Sequence, residues 1–201
     1  MFNVDSCQYK LFEVLPDKQE VFVGSGFIIR GNKSTRLVTA AHVATKKLGE
    51  PRLLIAKSYT EVTVLNNLAF VCREHQDVAE AIVDDGLNAL TFGPETYILN
   101  GSSLKIRPVY LRHPNNPESI LSVTNVGGVE LSRRGSKPIN PKYENSFDYI
   151  GNTNQAAWPG CSGSPILNQI NQVVGIHVRG IWDNGKRLNT AMIYTQETEN
   201  R

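Results

Sequence analysis

The sequence predicts an all-β protein of sandwich or barrel architecture. Apolar and β-branched runs recur at short intervals and are broken by Gly, Pro and Asn. Many of them alternate with period two or form brief continuously apolar stretches, whereas long helical periodicity is scarce. With 201 residues, 40% of them hydrophobic and 20% charged, the chain has enough apolar material for a core without disulfides or metals.

In chain order, strands are expected at 21–30, 37–39, 53–56, 61–65 and 81–83, then at 106–111, 120–126, 165–167, 172–178 and 188–194. The Gly- and Asn-containing text from Gly93 to Ser103 reads as a crossing between two halves. It divides the chain into residues 1–97 and 104–196, joined by 98–103. Residues 133–145 are rich in Pro, Asn, Lys and Arg and are expected as an exposed loop; the densest basic spot, Arg133-Arg134, lies there. Residues 196–201 are polar and expected to fray.

A net charge of +2 leaves no electrostatic footprint for nucleic acid. Cys7, Cys72 and Cys161 are too few and too scattered for a disulfide framework, and their odd number suits a reducing compartment. The first residues lack a basic segment followed by an apolar one, so no signal peptide is expected. The apolar runs, such as 53–56, fall far short of the roughly 20 residues a bilayer span needs.

Three segments carry chemistry. In Gly160-Cys161-Ser162-Gly163-Ser164-Pro165 a serine is set in a tight turn, as a nucleophile requires. Gly160 would supply unusual dihedrals, and Gly163 would let substrate approach unhindered. The amides of Gly160 and Ser162 would then face a developing oxyanion. The plainer reading of Ser-Gly-Ser-Pro is a polar turn. In Leu37-Val38-Thr39-Ala40-Ala41-His42, small residues precede a histidine, which is expected to project from the strand's end as a general base. A half-buried strand-capping histidine is the alternative. Asp77 in Gln76-Asp77-Val78-Ala79 would orient that imidazole. Asp84 and Asp85 compete for the role, but they stand before Gly86 and read as turn residues.

The chain order is His42, then Asp77 after 35 residues (77 − 42), then Ser162 after 85 more (162 − 77). This arrangement resembles the chymotrypsin-like serine proteases, from Gly24-Ser25-Gly26 to Asn189-Thr190-Ala191. The resemblance implies two six-stranded antiparallel β-barrels, with His42, Asp77 and Ser162 meeting in the cleft between them. It implies acyl-enzyme chemistry on a polypeptide, with no metal or organic cofactor.

The segment Gly175-Ile176-His177-Val178 lies 15 residues past the serine (177 − 162). It looks like the Gly-x-His strand of positive-strand RNA virus proteases and of some glutamyl endopeptidases. That likeness makes His177 a contact for Glu or Gln before the scissile bond, in a pocket with Ala157, Val178 and Asn189. Relatives carry threonine where Ala157 stands, so Asn152, Thr153 or Asn154 could share the contact. Cys161 occupies the position of the aspartate that pairs with a freed N-terminus in trypsin-like digestive enzymes, which implies activation without that ion pair.

Taken together, these features resemble sobemovirus-, polerovirus- and astrovirus-like polyprotein proteases. The resemblance implies a substrate in the enzyme's own polyprotein, in host cytoplasm, with membrane association only through a neighbouring segment. The alternatives are an inactive protease-fold binding module and a bacterial or organellar housekeeping protease.

Overall fold

The computed structural model describes residues 3–60, 62–73, 75–95, 104–106, 110–113, 116–122, 128–132, 145–151, 160–183 and 186–199. Seven strands build the first half: β1 (Gln8–Val14), β2 (Glu20–Arg30), β3 (Thr35–Thr39), β4 (Leu54–Ser58), β5 (Val64–Leu65), β6 (Val71–Cys72) and β7 (Ala79–Ile82). They pair antiparallel in the order β5-β4-β1-β2-β3-β7-β6. β4 shows the period-two burial of a strand with one face inward, with Leu54, Ala56 and Ser58 buried. β2 is buried continuously from Gly24 to Ile29, because it lies mid-sheet with β1 on one side and β3 on the other.

Where resemblance implied six strands, this half has seven. β5 and β6 are two residues each and sit at opposite edges of the sheet. Asn67, between them, takes a left-handed φ of 54° and breaks the run. β1 was not anticipated because Lys10 and Glu13 interrupt its apolar pattern, yet both are buried. The expected strand 61–65 shrinks to β5.

The second half contributes β8 (Leu104–Ile106), β9 (Tyr110–His113), β10 (Asn116–Ser122), β11 (Gly128–Ser132), β12 (Ser146–Gly151), β13 (Pro165–Leu167), β14 (Val173–Asp183) and β15 (Lys186–Ile193). Six of these close a barrel in the order β11-β12-β15-β14-β13-β8, and β9 pairs with β10 separately. Of the strand expected at 106–111, Ile106 falls in β8 and residues 110–111 in β9, and 107–109 lie outside the described residues. The crossing segment 98–103 and Arg133-Arg134 lie outside the described residues.

Residues 90–93 stitch the halves together. Leu90 bridges Ile29, Phe92 bridges Val173, and the Gly93 amide donates to the Val173 carbonyl at 2.8 Å. One apolar cluster runs from Leu11, Phe27 and Val38 through Phe92 to Ile176, Met192 and Tyr194.

Residues 196–199, the described part of the segment expected to fray, are held in place. Thr198 is buried, and Glu199 accepts hydrogen bonds from Arg36 Nη2 at 3.0 Å and from the Asn32 amide at 2.6 Å. Arg73 Nη1 donates to the Thr198 carbonyl at 3.2 Å and Nη2 to Glu80 at 2.8 Å, and the buried Tyr194 hydroxyl donates to the same Glu80 carboxylate. Burial, with Glu80 next in weight, pushes the Tyr194 hydroxyl pKa far up, so it stays a donor. Polar sequence here means ion pairing, not solvation. Glu80→Ala would leave two guanidinium groups and a phenol facing an empty site, and is expected to cost about 3 kcal/mol. Urea unfolding of the full chain measures it.

Candidate active site

β3 ends at Thr39, and Ala40 and Ala41 are buried without side-chain bulk. The chain therefore turns tightly into a single helical turn, α1 (Ala41–Ala44), which carries His42. The histidine was expected at a strand's end; it sits on this turn because the small alanines let α1 fold back against Leu54 and Ala79.

Asp77 precedes β7 and is 1% exposed. It grips His42 twice. Oδ1 accepts from the His42 backbone amide at 2.9 Å, and Oδ2 accepts from ring Nδ1 at 2.8 Å. A carboxylate has no proton to give, so Nδ1 carries the hydrogen and Nε2 is left as an acceptor. Ser162 Oγ lies 2.8 Å from Nε2 and 3.3 Å from the Val178 carbonyl. The hydroxyl has one proton, and the shorter, charge-polarised contact claims it. Asp84 and Asp85 do not compete: Asp84 accepts from the Gly86 amide at 2.6 Å and Asp85 from the Thr35 amide at 3.2 Å.

The turn around Ser162 is closed by Ser164 N–H donating to the Cys161 carbonyl at 2.9 Å. Gly160 takes φ 101° and Gly163 φ 90°, both in the region where a side chain is strained. Among the described residues, the amides of Gly160 and Ser162 have no acceptor. Cys161, beside Ser162, is fully buried.

The expectation that Gly163 opens a path for substrate is corrected. A Cβ there would stand 1.9 Å from the Ser25 carbonyl and 2.4 Å from Thr39 Oγ1, so Gly163 faces β2, not a ligand. Ser25 was noted only as part of a glycine-flanked strand. It holds the turn, its amide donating to the Ser162 carbonyl at 2.9 Å and its hydroxyl to the Gly160 carbonyl at 2.8 Å. Thr39 Oγ1 donates to the Ser25 carbonyl at 2.7 Å and fixes that residue in turn.

From the other side, β14 exchanges two hydrogen bonds with the same turn: Gly163 to the His177 carbonyl at 2.8 Å, and His177 to the Ser164 carbonyl at 2.9 Å. His177 and Val178 are buried beneath Ser162, and Ala191 of β15 is the strand partner of His177. Asn189, two residues before Ala191 and therefore on the same face, is buried, and its Oδ1 has no partner among the described residues. Ala157, Asn152, Thr153 and Asn154 lie outside the described residues.

Residues 24–176 match the trypsin-like peptidase domain. The chain belongs to that family. Among solved structures, this trypsin-like peptidase domain is similar to the Rv3671c protease of M. tuberculosis in its active form, at 15% identity, TM-score 0.58, and 94% of this chain against 77% of that one. The HtrA-type protease AlgW with tripeptide matches at 17% identity and TM-score 0.64, over 98% of this chain and 60% of that one. The human pathogenic astrovirus serine protease matches at 17% identity and TM-score 0.56, over 98% and 94%. At such identities these likenesses concern the fold. No curated protein sequence matches the peptidase domain significantly.

Gly163→Ala forces the turn off β2 and is expected to destabilise by more than 1 kcal/mol, roughly the left-handed penalty alone, and to abolish reaction at Ser162. Thermal unfolding and a serine-directed probe read the two effects separately.

Proposed function

We propose that the chain is a serine endopeptidase in which Ser162 is the nucleophile, His42 the general base and Asp77 the residue that orients and charges the imidazole. The observation that carries this reading is the continuous line of contacts from Asp77 through Nδ1 and Nε2 to Ser162 Oγ, each 2.8 Å long. Ser162 Oγ attacks the scissile carbonyl while Nε2 takes its proton. The partner-free amides of Gly160 and Ser162 receive the oxyanion, a contribution of about 2.7–4 kcal/mol per donor. Nε2 then protonates the leaving amine, and water repeats the sequence on the acyl-enzyme.

The finer reading is a polyprotein protease of a positive-strand RNA virus that cuts after Glu or Gln. Its support is the Gly-Ile-His-Val strand, in which buried His177 exchanges backbone hydrogen bonds with the turn that carries Ser162. An imidazole N–H can donate to the side-chain oxygen of either residue. The substrate would be the enzyme's own polyprotein in host cytoplasm, with any membrane attachment through an adjoining segment. A bacterial housekeeping role is the second reading, and Rv3671c and AlgW share the fold as the astrovirus protease does. The contacts among His42, Asp77 and Ser162 support an active peptidase over the inactive-module alternative.

Cleavage of a peptide library tests all of this. The wild type is expected to cut after Glu or Gln, Ser162→Ala not at all, and Asp77→Asn about 10⁴-fold more slowly in kcat. A folded Ser162→Ala protein that still cleaves would refute the assignment; cleavage with another preference would favour the bacterial reading.

A further inference from the structure

After α1 the chain reads Thr45-Lys46-Lys47-Leu48-Gly49-Glu50-Pro51-Arg52. It doubles back at once: Thr45 bridges Pro51, and the Lys46 amide donates to the Glu50 carbonyl at 2.7 Å. At the tip, Leu48 and Gly49 are both left-handed, at φ 73° and 79°. Leu48 is 100% exposed. A leucine in that conformation, with its side chain in water, does nothing for folding. Next to this loop is a cavity of about 340 Å³ lined by His42, Thr45, Lys46, Lys47, Leu48 and Arg52.

The charges on its wall are held in place from behind. Glu13, buried on β1, accepts from Lys46 Nζ at 3.0 Å and from Arg52 Nη1. Burial works to raise the Glu13 pKa, but the Lys46 ammonium and the Arg52 guanidinium together hold it below the ordinary value, so it remains an anion. The wall thus carries three cations, Lys46, Lys47 and Arg52, and the one carboxylate behind it pairs with Lys46 and Arg52. Arg52 spends Nε on the Thr45 carbonyl at 3.2 Å and Nη1 on Glu13. Among the described residues, its Nη2 and the Lys47 ammonium have no acceptor. Glu50 closes the turn without lining the cavity.

We propose that this cavity is a substrate subsite for an acidic side chain, that of the first or second residue after the scissile bond. The inference rests on the peptidase reading. His42 Nε2 must reach the departing amine, so the segment following the cut passes the imidazole. The cavity shares that imidazole as a wall. A carboxylate entering it meets the Lys47 ammonium and Arg52 Nη2, while the exposed Leu48 offers an apolar edge to the residue alongside.

Matched peptides carrying Asp, Asn or Lys at each of these two positions test it, with kcat/KM measured at low and high salt. The wild type is expected to favour Asp over Asn by about fivefold at one position, the worth of one partly screened ion pair. High salt should shrink the preference. Lys47→Glu should reverse it in favour of Lys, whereas Lys33→Glu, on a distant exposed turn, should leave it unchanged. Fluorophosphonate labelling of Ser162 in the wild type separates the two layers. A labelled enzyme that cleaves with no acidic preference at either position overturns this proposal alone. A folded protein that takes no label and cuts no peptide overturns the peptidase reading and this subsite with it.

Discussion

The backbone of the nucleophile turn lies directly on β2, and the geometry of the site depends on that contact. The Ser25 carbonyl leaves no room for a Cβ at Gly163. The Ser25 amide and hydroxyl fasten the carbonyls of Ser162 and Gly160. One residue of the first half therefore fixes three residues of the second, Gly160, Ser162 and Gly163. Because β2 also pairs with β3, which leads into α1, the same strand sets the distance between Ser162 and His42. Backbone contact is a stiff ruler. Side chains alone, with their rotamer freedom, would hold a 2.8 Å hydrogen bond less faithfully.

The second constraint is electrostatic. Asp77 is buried, while the His42 side chain is 43% exposed, and this carboxylate out of water accepts from both the amide and the ring of His42. Burying a charge is costly unless hydrogen bonds replace its water, and here two donors from His42 do so. The hairpin carrying Asp77 is braced in turn. The Arg73 amide donates to the Val78 carbonyl, and its guanidinium joins Glu80 to the C-terminal residues. Polar chemistry thus does on this flank what apolar packing does in the core.

How much of this could be read from the residues depended on whether the contact was local. Ser162 was legible because its glycines and Pro165 mark a turn that a nucleophile needs. Asp77 was separable from Asp84 and Asp85 because the latter pair precedes a glycine. Ser25 was not legible as a clamp, since its hydroxyl reaches a residue 135 positions away and donates to a backbone carbonyl, which leaves no mark in side-chain chemistry. The function of Gly163 was misread for the same reason: a glycine announces close approach but not what approaches. β1 was hidden by Lys10 and Glu13, whose charges suggest a surface although neither is exposed. The tail was misjudged because a run of polar residues looks solvated until its partners are seen, Arg36 in an ion pair with Glu199 and Arg73 in a hydrogen bond to the Thr198 carbonyl.

The family match covers residues 24–176, an interval that contains most of β2, α1, Asp77 and the turn that carries Ser162. The fold likeness to bacterial and astrovirus proteases is equally consistent with several substrates, so the account stands on the site and not on ancestry. Its most direct test is the rate at which a fluorophosphonate acylates Ser162 in Ser25→Ala compared with wild type, at matched folded fraction. Loss of the hydroxyl bond to Gly160 should slow acylation by about tenfold, near 1.4 kcal/mol in barrier, while the protein still unfolds cooperatively. An unchanged rate in a folded Ser25→Ala protein would mean that β2 does not hold the nucleophile in place.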